Sequence, residues 1–349
     1  MPSFRTATVT GLLSERPGLT RVAVDVHGDG PARAYAVTSL VGPISVGDEV
    51  VVNTTAVERA LGTGGWHVVH WNLARDALLQ PGPGHIMKLR YTSLQTDTGA
   101  AEELQADELT TSDLGGMPVV VGGLHSQLPS VVVALLHAHP AARVAYVMTD
   151  GAALPLALSE LVPAMVGAGL LVGTVTAGHA FGGDHEAVNV PSALVVARHV
   201  LRADAVVVTM GPGSVGTGTT LGFSALEVAP ALDAADRLGG APVAVCRFSL
   251  ADERDRHQGV SHHTRTALAL TSARATVGVP RGRFAARVRD DLAAVADRHR
   301  LVDVDDPGAG ALLAASGLAV TTMGRDPEAD PGAFAVAAAA GSTAADLLP

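Results

Sequence analysis

From residue 115 onward, short apolar β-rich runs alternate with alanine- and leucine-rich runs of helical length. That alternation predicts a parallel sheet with helices on both faces, a doubly wound α/β domain. The pattern places strands over 117–121, 142–148, 170–176, 205–210, 242–246 and 318–321. Helices are expected over 130–139, 154–167, 191–201, 225–238, 264–276 and 284–299, with an alanine-rich closing helix over 333–345.

Residues 1–80 read differently. Short apolar runs over 5–12, 20–26, 32–37, 49–52 and 67–71 are separated by turn signals such as His27-Gly-Asp-Gly30. Regularly spaced short strands without helices predict a small antiparallel β-barrel or sandwich. Gln80-Pro-Gly-Pro-Gly84 reads as a linker, so the expected domains are 1–84 and a mostly parallel α/β sheet domain over 85–349.

Composition narrows the function classes. The chain has 349 residues, enough for more than one core. Its formal net charge is -10, and no basic tract breaks it. Nucleic-acid and anionic-membrane binding are therefore not expected. The start of the chain carries no apolar signal-peptide core. The most membrane-like stretch, 153–178, is broken by Pro155, Glu160 and Pro163 and reads as a helix then a strand. A lone cysteine, Cys246, sits in an apolar run, which fits a core residue in a reducing cytoplasm. Oligomeric state stays open, a homo-oligomer included.

Polarity is one-sided about the expected strands. The segments that follow them are rich: Gly122-Gly-Leu-His-Ser-Gln127, Thr149-Asp-Gly151, the loop from Gly178 to Asn189, the glycine run from Gly211, and the stretch after Cys246. The segments that precede them are plain. In a parallel sheet the rich loops gather at the carboxyl edge, where open α/β sheets build their sites. His125, Asp150 and Asn189 are ligand-binding candidates on this ground.

The densest chemistry lies in 247–265, with four arginines, three histidines and three carboxylates. Arg247, Arg254 and Arg256 suit bidentate capture of an anion. Asp252 and Asp255 offer the alternative of a structural ion-pair network. His257 is the proton-transfer candidate, since imidazole titrates near neutral pH. Gly211, Gly213 and Gly216 spell Gly-x-Gly-x-x-Gly, but the expected helix starts too late and no acidic residue follows at the dinucleotide spacing. The alternative is an anion nest built with Ser214, Thr217 and Thr219; a structural glycine loop is the plainer reading.

Asp184 and His185 are further acid–base candidates. His179, His185, Glu186, His262 and His263 offer N and O ligands for a divalent Zn²⁺, Mn²⁺ or Fe²⁺, though their spacing matches no strict metal signature. Substrate contacts and helix caps are the competing account. Lys88 is the only lysine; an amine can form a Schiff base where a guanidinium cannot.

Several stretches carry a family resemblance. They are Asn53-Thr-Thr-Ala-Val57, Gly62-Thr-Gly-Gly65, Gly84 to Thr92, Gly183 to Asn189, Gly211 to Thr219, Ala251 to His257 and Ser261 to Thr264. On these the chain resembles a bacterial family of uncharacterised proteins, a domain of unknown function spanning nearly the full length. The resemblance implies no activity, cofactor or partner. The residues themselves point to an enzyme acting on a small anionic metabolite, phosphorylated or nucleotide-like, by hydrolysis or group transfer. The alternatives are a non-catalytic ligand-binding regulator and a nucleotide- or NAD-binding protein.

Overall fold

The computed structural model describes residues 2–62 and 64–348; Thr63, in the stretch Gly62-Thr-Gly-Gly65, lies outside them. The chain divides into two compact units, Met1–Asp97 and Thr98–Pro349. The division falls at 97 rather than the expected 84 for a local reason. Met87–Lys88 pairs with Thr96–Asp97, and Leu94 between them packs on the first unit's core.

The first unit is a closed barrel of β1 (Phe4–Arg16), β2 (Leu19–Val26), β3 (Gly30–Val37), β4 (Glu49–Asn53) and β5 (Trp66–Asn72), in the order β1-β2-β3-β5-β4. Alternate residues point inward, as a strand period of two requires: Val22, Val24 and Val26 on β2, Val50 and Val52 on β4. Two register shifts bend β1, which pairs with β4 along its first half and with β2 along the rest. One pair departs from the antiparallel expectation. β3 and β5 run parallel, because β4 intervenes in sequence and not in the barrel between them. That is a Greek-key closure.

The second unit is the expected α/β domain. Its sheet holds β6 (Pro118–Val121), β7 (Val144–Thr149), β8 (Gly173–Ala177), β9 (His185–Ala187), β10 (Ala205–Met210), β11 (Ala241–Ala244), β12 (Thr276–Pro280) and β13 (Arg300–Val304). All pairs are parallel, in the order β9-β8-β7-β10-β6-β11-β12-β13. The inner strands are buried on both faces. Val119, Val147 and Val208 face one core, and Val120, Tyr146 and Val207 face the other. A buried valine or leucine stabilises by about 1.5–3 kcal/mol, so these strands anchor the loops that leave them.

Helices cover both faces. α1 (Leu128–Ala138), α2 (Leu161–Gly167), α7 (Ala309–Ala315) and α8 (Pro331–Ala345) close one side. α3 (Val190–His199), α4 (Val228–Arg237), α5 (His262–Leu270) and α6 (Ala285–Leu292) close the other. Several expectations change: the short β9 lies in a stretch expected as loop, and the helix expected over 154–167 begins only at Leu161. Residues 318–321 form no strand; Leu318 and Val320 are buried in irregular chain. The helix expected over 264–276 ends at Leu270, and strand β12 begins at Thr276. β13 was not expected, because its alternation, Arg300-Leu-Val-Asp-Val304, is that of a half-exposed edge.

Strand order sets where the loops diverge. β7 connects away toward β8, while its neighbour β10 connects the opposite way to β11. β6 and its neighbour β11 diverge in the same manner. Crevices outside the carboxyl ends of such divergent pairs are the usual ligand positions in open α/β sheets.

Candidate functional site

The β6–β11 divergence holds a cluster of charged groups. Arg247 follows β11 by three residues and is about nine-tenths buried. Its Nη1 donates to His263 Nδ1 at 3.3 Å. Its Nη2 is shielded from solvent, has no hydrogen-bond partner, and lies 3.7 Å from Asp252 Oδ2. Burial, reinforced by the charge of Arg254, pushes the Arg247 guanidinium down to about 10.

Asp252 is the hub. Arg254 grips it with two hydrogen bonds, Nε to Oδ1 at 2.9 Å and Nη2 to Oδ2 at 2.8 Å. Arg325 Nη2 stands 3.7 Å from the same Oδ2, and its Nε donates to Asp330 Oδ2 at 3.1 Å. The hydrogen bonds from Arg254 hold the Asp252 carboxyl well below the usual range. Three guanidiniums thus share two buried carboxylates. Arg256 is exposed and has no hydrogen-bond or ion-pair partner among the described residues; its charge acts on Arg247, His262 and His263. The buried part of the cluster holds one more guanidinium than carboxylates, while Glu253 and Asp255 beside Arg254 offset the exposed charge of Arg256. A cleft beside this cluster is lined by Arg247 and Arg325, by the carboxylates Asp252 and Asp330, and by Ser249 and Ser130. Ser130 is fully buried and its hydroxyl also lacks a partner.

Three imidazoles adjoin the arginines. A two-residue antiparallel pair, Phe248–Ser249 with Gly259–Val260, folds the segment back on itself. That return brings His257 against the start of α5. Ser261 caps α5 by accepting from the His263 amide at 3.2 Å, and the same hydroxyl lies 2.7 Å from His257 Nδ1. The His263 ring stacks on Phe223 at 3.9 Å between centroids. His257, His262 and His263 each have a ring nitrogen within 4.8 Å of the other two. Burial and the neighbouring Arg247 charge push His257 and His263 each down to about 3, and His262 is lowered too. Burial and the nearby guanidiniums thus favour the neutral form of all three imidazoles.

The glycine loop reaches this cluster, with its threonine hydroxyls turned to its own backbone. A Cβ at Gly216 would lie 3.8 Å from His263 Nε2. Gly216 bridges to Phe223, and Thr217 N donates to the Gly222 carbonyl at 2.7 Å. The hydroxyls of Thr217 and Thr219 bond to each other at 2.9 Å and to the loop's own backbone. They are spent on closing a hairpin. Gly213 takes a positive φ of 106°, and a Cβ at Gly211 would strike the Ala153 carbonyl. The glycines answer those backbone needs. Ser214 is exposed on the hairpin.

Other candidates fall elsewhere. Asp184 and His185 are not at the carboxyl edge. Asp184 Oδ2 accepts from the Thr174 amide at 2.8 Å, and His185 pairs with Val175, so both flank the first half of β8. β9 is five strand spacings from β11; at ~4.8 Å each that is ~24 Å. His185 and Glu186 therefore cannot share a metal with His262 and His263. Glu186 instead accepts from Thr176 Oγ1 at 2.5 Å and from the Gly182 amide at 2.7 Å. His179 follows β8, its amide donating to Asp150 at 2.9 Å. Asn189 caps α3 through Ser192 N. His125 is buried between the Tyr146 hydroxyl at 3.1 Å and Ser159 Oγ at 2.7 Å, and burial lowers it to about 4. Lys88 is wholly buried and belongs to the barrel unit.

Two residues of the site, and one at the neighbouring β7–β10 divergence, escaped sequence reading. Arg325 and Asp330 lie in the loop before α8, far along the chain from any strand end. Glu227, next to Val228 at the start of α4, accepts from Thr149 Oγ1, and burial raises it to about 7. Only its place one turn into a loop–helix junction after β10 marks it.

Set on this frame, the chain is a two-unit α/β protein whose polar cluster lies at a strand divergence. It belongs to the family described as proteins of unknown function, DUF3866, whose model matches residues 33–341. No curated protein and no solved structure matches it.

Proposed function

We propose that this protein is an enzyme acting on a small anionic metabolite, bound beside Arg247 and Arg256. One observation carries the reading: the Arg247 Nη2 donor is buried with no hydrogen bond. A buried donor left unsatisfied costs about 1–3 kcal/mol, more when charged. An anionic oxygen at that position offsets the cost with a charge-assisted bond. Arg256 supplies a second, uncommitted guanidinium. With its value pushed down to about 3 by burial, His257 is a weak base, so the arginine-held anion and not this imidazole supports hydrolysis or group transfer. The closed glycine hairpin gives no support to a dinucleotide.

The test pairs binding with turnover. Inorganic phosphate, pyrophosphate and a panel of phosphate esters and dicarboxylates are screened by thermal shift and calorimetry. Saturating ligand raises the melting temperature by mass action. Arg256→Ala and Arg247→Gln then abolish the shift. A panel in which no anion shifts wild-type melting overturns the reading. A ligand that binds but is never turned over moves the protein to the regulator class.

A further inference from the structure

We propose that His257, His262 and His263 hold one divalent transition-metal ion, whose open position takes the anion. The inference rests on the anion reading above only for that last ligand.

Successive residues on a helix project about 100° apart, so His262 and His263 would ordinarily diverge. Here their ring centroids are 4.4 Å apart, and His257 lies 5.2 and 4.9 Å from them. One nitrogen of each ring falls within 4.8 Å of the others. A tetrahedral ion with Zn–N bonds of ~2.0–2.1 Å needs its nitrogens about 3.3 Å apart. Binding the ion draws the three rings together from that spread.

The rings are also held. Ser261 Oγ meets His257 Nδ1 at 2.7 Å, and Phe223 stacks on His263 and meets His262 edge-on at 5.4 Å. Partners that orient ligating imidazoles in this way are part of a working metal site. His262 Nε2 is shielded from solvent and has no hydrogen-bond partner among the described residues. A nitrogen lone pair or N–H left bare there is accounted for by an ion.

The donor set fixes the chemical class. Three imidazoles suit zinc, cobalt or iron(II), not calcium or magnesium. The Asp252 carboxylate is held by arginines. Among the described residues no fourth protein ligand joins the group, which is the open pattern of catalytic rather than structural zinc.

The arginines decide what fills the opening. A bare dication beside Arg247 is repelled. Ligation of His263 through Nε2 moves its ring proton to Nδ1. That ends the 3.3 Å hydrogen bond from Arg247 Nη1 and turns the guanidinium to the anion. Metal and anion therefore bind each other's complex more tightly than either binds alone, and the coupling is reciprocal.

The experiment uses the full chain without a histidine tag, stripped with chelator and titrated with Co²⁺. We expect one equivalent to bind with the intense visible absorption of a tetrahedral site. Inorganic phosphate at millimolar concentration should tighten Co²⁺ at least fivefold. His262→Gln, the most accessible of the three, should weaken it by more than about tenfold. The wild-type spectrum serves even if that variant does not fold. Weak, octahedral Co²⁺ absorption, or affinity unchanged in a folded His262→Gln protein, overturns the metal site. If phosphate still raises the melting temperature of that protein, the anion reading survives the metal's failure. Tetrahedral Co²⁺ indifferent to phosphate overturns the anionic ligand.

Discussion

At the scale of single residues, charge placement matters more than residue type. Arg254 and Arg256 are two positions apart, yet one is committed to Asp252 and the other is not. Arg256→Lys keeps the charge and loses the planar fork. We expect it to weaken anion binding by about 1.5–3 kcal/mol, read by calorimetry, with little change in melting of the unliganded protein. An unchanged affinity would remove Arg256 from the site. Glu227 allows a test by pH. In the fold it keeps its proton to about 7, against an ordinary glutamate value of 4.5, because burial penalises the carboxylate. Its raised value favours the native state fully below about pH 4.5, and that contribution is lost as pH rises through 7. Relative to Glu227→Gln, the wild type should therefore lose melting temperature between pH 5 and 8. A pH-independent difference between the two would contradict this.

At the scale of elements, close approach outweighs propensity. Gly341 lies inside α8, where alanine is ordinarily better by about 1 kcal/mol. Here a Cβ would come within 2.1 Å of the Val131 carbonyl on α1. The two helices touch through backbone, so the sign reverses. Gly341→Ala should destabilise by about 1–3 kcal/mol in urea denaturation, the cost of overpacking. A stabilised variant would mean that the helices part freely. The same scale explains where strand assignment failed. β12 follows a helix that ends without glycine at Thr271, and nothing local stops the helical pattern. The expected strand over 318–321 is an apolar run, but the sheet already ends at β13 on that side and the run packs as loop.

At the scale of the whole molecule, each unit closes its own core. The barrel interior and the two faces of the sheet form separate apolar clusters. Residues 98–349 produced alone should therefore unfold cooperatively in a thermal melt and keep the phosphate-induced shift of the full chain. A fragment that is molten, or folded but blind to phosphate, would show that the barrel completes the second unit.

Local physics was enough for the class of each unit. An apolar run with β-branched residues, followed by a helical run, has one economical arrangement, a parallel sheet covered on both sides. Short runs with turn signals have another, a small barrel. The carboxyl-edge loops followed from that, and with them the segment 247–265. What sequence spacing did not decide was which polar groups meet. Asp184 and His185 stand in a loop that begins at the right edge, yet the chain runs back along β8 before it reaches them. Thr217 and Thr219 have the composition of an anion nest, yet their hydroxyls bond within the hairpin. Arg325 and Asp330 join the site across about 70 residues of chain. Strand order and the return of the 247–263 segment brought these groups together or kept them apart. Both are set by packing of the whole sheet, which no local pattern encodes.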